Sequence, residues 1–153
     1  MEGVIRPARS DEADALTDLN MRSKAVWGYD RAFMEASRPV LTVTPALIDK
    51  FPVYVYEVGG RVLGCYALGL DGPAADIELF FVDPDHLREG IGRALWRHLE
   101  SQARRLGVTK LRIESDPSAV GFYETMGARV VGSAPSDAIP GRSLPLLEIE
   151  LAA

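Results

Sequence analysis

The chain has 153 residues, enough for one domain that buries about two-thirds of the surface of its unfolded chain. Its composition, 47% apolar and 25% charged residues, is typical of globular proteins and excludes disordered and fibrous classes. The net charge of −5 argues against nucleic acid as a partner, and no apolar run approaches the roughly 20 residues that a membrane-spanning helix needs.

Along the chain, apolar periodicity predicts the order β, α, α, β, β, β, α, β, α, β, β. The strands are predicted at about residues 4–8, 53–58, 61–70, 75–82, 109–114, 128–133 and 144–151. The four helices are predicted from 11 to about 27, within 28–43, at about 92–106 and from 117 to 127, and a brief helical turn is predicted over 45–50. This pattern predicts one α/β domain over residues 1–153, a mixed sheet with helices on both faces.

Local signals fix several of these boundaries. Ser10 is predicted to cap the first long helix, and Pro39 is predicted to interrupt the second. The pair Gly59-Gly60 predicts a tight hairpin between two strands, and Gly107 predicts the end of the long helix.

The strand at residues 75–82 is the most apolar of the chain. Alternation predicts one face with Ile77, Leu79 and Phe81, and another with Glu78, Phe80 and Val82. Because both faces are largely apolar, we expect this strand at the centre of the sheet.

That strand runs into a glycine-rich turn at the start of the long helix, VDPDHLREGIGRAL over residues 82–95. The first N–H groups of a helix are unpaired and carry partial positive charge, and glycines let a phosphate approach them closely. A P-loop would need Lys and then Ser or Thr after the second glycine, but Arg93 follows it. A dinucleotide fingerprint would need a small residue where Leu95 stands.

Together, the central strand, Gly90-x-Gly92 opening a long helix, and the late segment GFYETMGA at residues 121–128 resemble the GNAT superfamily of N-acetyltransferases. The resemblance covers nearly the whole chain and implies a mostly antiparallel mixed sheet of about seven strands. It also implies acetyl-CoA as the cofactor, with its pyrophosphate on the glycine-rich turn. The family's turn usually begins with Gln or Arg where Leu87 stands here, with Arg88 beside it.

The resemblance also implies site residues. Tyr123 matches the family's general acid, and the alternative is that it is an aromatic side chain that only packs. Glu78 is the candidate base for the acceptor amine, and the alternative is that it is a solvated charge on the strand. The implied cofactor contacts are the backbone of Phe81 and Val82, the turn Arg88, Glu89, Gly90, Ile91, Gly92 and Arg93, and Asp116. Asp116 stands where the family often has Asn, and it is also predicted to cap a helix.

The acceptor side is predicted from the irregular segment 27–43 and the loop 135–142. Trp27, Tyr29 and Phe33 are candidates to line an apolar pocket, with an aromatic core cluster as the alternative. The leading hypothesis is acetylation of a primary amine on a small molecule. Alternatives are a protein N-terminus or lysine, and a non-catalytic acyl-CoA-binding regulatory module.

The remaining expectations concern the single cysteine, the histidines and the surroundings. Cys65 is predicted to be a small buried side chain, and His86 and His98 are expected to be structural. No metal site is predicted. The first residues lack the apolar core of a signal peptide, so a cytoplasmic location is expected. Homodimerisation through the C-terminal strands is an arrangement that the sequence allows.

Overall fold

The computed structural model describes residues 2–151, and within them the chain forms seven strands and five α-helices. The strands are β1 (Val4–Pro7), β2 (Val53–Val58), β3 (Arg61–Asp71), β4 (Ala74–Val82), β5 (Lys110–Glu114), β6 (Arg129–Pro135) and β7 (Ser143–Glu150). The helices are α1 (Ala13–Ala25), α2 (Arg31–Leu41), α3 (Pro45–Lys50), α4 (Ile91–Arg105) and α5 (Val120–Thr125). Every predicted element is present, with ends shifted by a few residues.

The described strands form one sheet in the order β1-β2-β3-β4-β5-β7-β6. β4 occupies its centre, as its two apolar faces predicted. Neighbouring strands are antiparallel except β4 and β5, which are parallel. The predicted mixed, mostly antiparallel sheet of about seven strands is therefore confirmed.

Helices cover both faces of the sheet. α4 and α5 pack on one face around the fully buried Leu95, Leu99 and Leu111. α1 packs on the other face through Leu16 and Leu19, and α3 adds to the same cluster. The apolar stripes of the helices are thus each buried against one side of the sheet, which holds the central strand rigidly between two cores.

Two predicted helix boundaries are wrong. Ser10 does not cap α1, because residues 10–12 first form a 3-10 turn, and the carboxylate of Glu12 instead accepts a hydrogen bond from the N–H of Arg9 (2.8 Å). Pro39 does not interrupt α2, which continues to Leu41. Only the last two residues follow the proline, and the helix buries Leu41 at its end, so one lost backbone hydrogen bond is tolerated.

The predicted alternation of β4 is also wrong at one point. The register against β3 skips Glu78, because Ile77 and Leu79 pair with consecutive residues of β3. This bulge places Ile77 with Phe80 on the α4/α5 side, whereas Leu79 and Phe81 face the α1 side. A bulge inserts one residue and therefore reverses the faces of all residues beyond it.

The two central strands separate soon after they begin to pair. β4 pairs with β5 only from Ala74 to Asp76 against Lys110 to Arg112. Beyond Asp76, β4 continues to Val82 beside β3 alone. The sheet is therefore open between the carboxyl halves of β4 and β5, and the unpaired edge of β4 faces this opening.

Candidate active site

A cavity of about 1050 Å³ fills the opening between β4 and β5. Its walls include the second half of β4, the end of β5 and the beginning of α4. The ends of α1 and α2 form another wall, and the 3-10 turn Pro117–Ala119 and the loop between β6 and β7 complete it. A cavity where neighbouring parallel strands part is the usual position of a ligand site in such sheets.

The glycine-rich turn forms one end of this cavity. α4 begins at Ile91, and the N–H of Ala94 donates the first bond back to the carbonyl of Gly90 (3.0 Å). The N–H groups of Ile91, Gly92 and Arg93 precede that bond, so the first turn presents unpaired donors and the positive end of the helix dipole. All three residues line the cavity.

The backbone of the turn has the conformation that such a cradle needs. Gly90 has φ +83° and Arg88 has φ +67°, both in the left-handed region. An added Cβ at Gly90 would meet no atom within 4 Å, so no side chain blocks the approach. This end of the cavity therefore offers the unpaired amide donors and the open approach that a phosphate site needs, and it requires no particular side chain.

Asp83 anchors the turn, a role that sequence analysis missed. Its side chain is 1% exposed, and it accepts hydrogen bonds from the N–H of Asp85 (2.9 Å) and from Nη1 of Arg22 (3.1 Å). Burial opposes ionisation of this carboxyl group, but these donors outweigh it and lower its pKa. The Asp-Pro sequence signals the local turn, whereas the partner on α1 lies 61 residues away and has no local signature.

Most of the predicted cofactor residues reach the cavity. Lining it are Phe81, Val82, Arg88, Gly90, Ile91, Gly92, Arg93 and Asp116. Glu89 does not line it, and its carboxylate instead lies 3.1 Å from Nδ1 of His86. His86 itself lines the cavity.

Tyr123 lines the cavity, with 6% of its surface exposed. Its ring packs with Phe80, Trp96 and Phe122, at centroid distances of 5.4–6.0 Å. Burial raises the pKa of its hydroxyl. The phenol therefore holds its proton at neutral pH and can act as a proton donor inside the cavity, but not as a resting base.

Glu78 lines the same cavity from the bulge of β4. Its side chain lies over Gly69 of β3, so it does not share the face of Phe80 and Val82 as predicted. Burial raises the pKa of its carboxyl group, and repulsion from Asp76 and Glu114 adds to the effect. A carboxylate with a raised pKa at the edge of a cavity has the properties of a general base.

Glu78 belongs to an acidic part of the cavity wall. Asp76, Glu114 and Asp137 also line the cavity, and Asp137 raises the pKa of Glu114 by repulsion in addition to burial. Asp76 is neutralised by Arg112, which donates to it from Nε at 2.8 Å. The remaining carboxylates attract a cationic group to this end of the cavity.

The three aromatic candidates have different environments. Trp27 lines the cavity and is 51% exposed, so it stands at the rim. Tyr29 and Phe33 do not line it, and their rings stack on each other at 4.0 Å. The structure therefore brings only Trp27 of the three to the cavity, and the hydroxyl of Tyr29 belongs to a charged cluster.

Asp116 is the centre of that cluster. Its Oδ2 accepts hydrogen bonds from Nζ of Lys24 (2.8 Å) and from Oη of Tyr29 (2.7 Å). Its Oδ1 accepts from the N–H of Ser118 (2.9 Å), which confirms the predicted cap. Arg142 donates to Oη of Tyr29 (3.0 Å). Burial opposes ionisation of Asp116, but the hydrogen bonds outweigh it and lower its pKa.

Cys65 and His98 lie outside the cavity lining. Cys65 is fully buried, as predicted, and burial raises the pKa of its thiol to about 12. His98 shares a hydrogen bond with Tyr66 (Nδ1 to Oη, 2.7 Å) and packs against Tyr54.

Within residues 2–151, no helix has the length and apolar character required to cross a membrane.

The family model described as acetyltransferase (GNAT) family matches residues 14–128. A peptidyl-lysine N-acetyltransferase, YjaB of Escherichia coli strain K12, is 37% identical over 145 residues, which cover 95% of this chain and 94% of that protein. YjaB of Salmonella typhimurium is 37% identical over 73 residues, 48% of each chain, so that match spans about half of that relative's length.

Among solved structures, the paia N-acetyltransferase of Thermoplasma acidophilum in complex with coenzyme A superposes with a TM-score of 0.80. The alignment covers 98% of this chain and 99% of that one at 15% identity, so it establishes the fold. The family match, the near full-length relative and the open sheet with its glycine-rich helix start lead to one conclusion: the chain belongs to the acetyltransferase (GNAT) family, N-acetyltransferases that use acetyl-CoA.

Proposed function

We propose that this protein transfers an acetyl group from acetyl-CoA to the ε-amine of lysine in a protein or peptide. The observation that carries the proposal is the opening between β4 and β5, whose lining combines an anion cradle with Glu78 and Tyr123. A donor and an acceptor can meet there between fixed backbone elements, and such positioning supplies much of the rate of a bimolecular transfer.

The cofactor is assigned to residues that fit it. The amides of residues 90–93, with Arg88 and Arg93 beside them, would hold the pyrophosphate, and Glu89 is assigned only its backbone at this turn. The free edge of β4 at Phe81 and Val82 offers backbone groups to the pantetheine arm in the manner of an added strand. Bound there, acetyl-CoA supplies an acetyl group activated as a thioester.

Two side chains are assigned to proton transfer. Glu78 would accept a proton from the acceptor ammonium at its carboxylate, which makes the amine nucleophilic. Tyr123 would donate the proton of Oη to the leaving thiolate, a donor of comparable basicity. Burial raises the pKa of both groups, which makes the carboxylate of Glu78 a stronger base and keeps the phenol of Tyr123 protonated at neutral pH.

The acceptor class follows from the other end of the cavity. Glu78, Glu114 and Asp137 favour an ammonium group, and the exposed Trp27 and Val40 at the rim offer apolar surface to an aliphatic stem. Lysine carries both features on one flexible side chain. The near full-length relative YjaB is named a peptidyl-lysine N-acetyltransferase, which supports the same class.

A small cationic amine, such as a polyamine, is the second candidate acceptor. It is favoured by the number of carboxylates in the wall, since three unneutralised acidic side chains exceed the need of one ammonium.

The proposal is tested by measuring thiol release from acetyl-CoA with three acceptors. These are a peptide with one lysine and a blocked N-terminus, the same peptide with Arg for Lys and a free N-terminus, and a triamine. Fastest turnover of the lysine peptide supports the proposal. Faster turnover of the free N-terminus or of the triamine would instead identify that amine as the acceptor class.

Acetyl-CoA at 100 times its dissociation constant should add about 2.7 kcal/mol to the free energy of unfolding. Stabilisation without turnover of any amine would identify a binding module, and no stabilisation would exclude the cofactor assignment.

A further inference from the structure

We propose that Asp116 is a positioning residue that fastens two walls of the acceptor cavity to each other through Lys24, Tyr29 and Arg142. This inference deepens the proposed function and rests on it. We call the four residues the Asp116 cluster. They come from three separate parts of the chain, the end of α1 with its following loop, the turn after β5, and the loop between β6 and β7.

The cavity shows why such a connection matters. One wall is formed by α1 and α2, and it includes Lys24, Trp27 and Ser37. The facing wall is formed by the turn at Ser118 and the loop that contains Asp137. The described strands do not pair across this gap, so the walls meet through side chains.

The contacts of the cluster are short and sheltered. Nζ of Lys24 and Oδ2 of Asp116 lie 2.8 Å apart, and each of the two side chains is only 14% exposed. Tyr29 links both walls, because its Oη donates to Asp116 and accepts from Arg142. Hydrogen bonds between charged groups in such surroundings are stronger than surface ion pairs.

Two cations flank one aromatic pair, which orders the cluster further. Nζ of Lys24 lies 5.1 Å from the ring centre of Tyr29, and the guanidinium carbon of Arg142 lies 4.8 Å from that of Phe33. Tyr29 and Phe33 stack on each other, so the cations hold α2 in place as well. The aromatic residues thus support the wall rather than contact the acceptor.

Both oxygens of Asp116 are engaged within the protein, Oδ1 by Ser118 and Oδ2 by the cluster. With both oxygens engaged, the carboxylate is not assigned the cofactor contact that the resemblance implied, and it acts on the acceptor through the wall that it holds. Asp116→Asn keeps an oxygen for the N–H of Ser118 but removes the charge that attracts Lys24. We expect it to raise the KM of the acceptor about tenfold, the size of one charge-assisted hydrogen bond, with kcat and the dissociation constant of acetyl-CoA changed less than twofold.

The experiment is a double-mutant cycle of Asp116→Asn and Lys24→Met, with Glu35→Gln as control because Glu35 has an exposed ion pair with Arg38 on α2. If the residues act as one fastening, the double variant raises the acceptor KM no more than either single variant. Additive effects, an unchanged acceptor KM, or a parallel loss of kcat and acetyl-CoA affinity would overturn the proposal.

Amide hydrogen exchange tests the fastening by Asp116 separately from the proposed acetyl transfer, because the measurement needs no turnover. Asp116→Asn should accelerate exchange in residues 26–33 and in 136–142 together, while α4 keeps its protection. Faster exchange in only one segment, or in neither, refutes the fastening even if no acceptor is found. Failure of the wild-type protein to acetylate any amine counts against the proposed function alone.

Discussion

The carboxylate of Glu78 lies over Gly69 on the neighbouring strand, with Oε1 2.5 Å from the point where a Cβ at residue 69 would stand. Glycine at 69 thus leaves the space that the side chain of Glu78 occupies. The bulge of β4 directs the carboxylate into this space, and the same bulge puts Glu78 at the cavity wall.

Gly69→Ala should therefore displace Glu78 while the fold persists, because the clashing atom is the end of a flexible side chain. We expect kcat to fall about 10- to 100-fold, as for other misplaced catalytic groups, with the thermal midpoint nearly unchanged. Gly132→Ala on β6 is the matched control, since a Cβ there meets no atom within 4 Å. Full activity of Gly69→Ala would show that the position of Glu78 is irrelevant to turnover.

Tyr123→Phe should lower kcat about 10²- to 10⁴-fold, the usual effect of losing a general acid, because only the donating hydroxyl is removed. The remaining ring keeps its packing against Trp96 and Phe122, so acetyl-CoA binding and the melting temperature should stay close to wild type. Steady-state kinetics, a calorimetric titration with acetyl-CoA and a thermal melt check the three parts. Tyr54→Phe, outside the cavity lining, is the control. Unaltered kcat in Tyr123→Phe would remove the residue from the chemistry.

The elements, the sheet class and the central place of β4 were predictable, because they follow from apolar periodicity and from turn residues such as Gly59-Gly60. The position of the glycine-rich turn was predictable for the same reason, since strand end and helix start are local features. Two local predictions were wrong. At Ser10 the carboxylate of Glu12 accepts the hydrogen bond from Arg9 at the start of a 3-10 turn, and at Pro39 the burial of Leu41 outweighed the helix-breaking preference.

The side-chain geometry of the site was not predictable from local pattern. The bulge at Glu78 depends on the register of two strands, and alternation alone cannot reveal an inserted residue. The partners Arg22 for Asp83 and Lys24 for Asp116 are 61 and 92 residues distant in sequence. Such pairs form only when the helices have docked on the sheet, so no local pattern in a single sequence predicts them.

The pH dependence of turnover should report the charge around Glu78. Burial, followed by repulsion from Asp76 and Glu114, raises the pKa of Glu78, so the acidic limb of the kcat profile should lie above the ordinary range for glutamate. A base works only when ionised, and activity is therefore lost as pH falls through that pKa. Glu114→Gln removes one like charge and should move the limb to lower pH. A limb that stays in place, or moves upward, would contradict Glu78 as the titrating base.

Gly92→Ala should weaken acetyl-CoA binding without destabilising the fold. Its Cβ would lie 3.2 Å from the ring of Phe122, a tight contact beside the amides that face the cavity. We expect the dissociation constant of acetyl-CoA to rise up to about tenfold, the loss of one hydrogen bond. In Gly121→Ala, the control, the added Cβ meets nothing within 4 Å. Equal cofactor affinity in both variants would refute close approach of the pyrophosphate to residue 92.

The stability of the fold should depend on pH through His98. Burial, with repulsion from Arg105, lowers the pKa of His98 in the folded state below its unfolded value near 6.5. Between these two pKa values the unfolded chain binds more protons, so the free energy of unfolding falls as pH decreases from 6.5 through the folded pKa. Above pH 6.5 the contribution is complete. His98→Gln should therefore lose less stability than wild type between pH 7.5 and 5, measured by urea unfolding, while the two proteins change in parallel between pH 7.5 and 8.5. Identical losses in the acidic interval would mean that His98 is protonated equally well in the folded and unfolded chains.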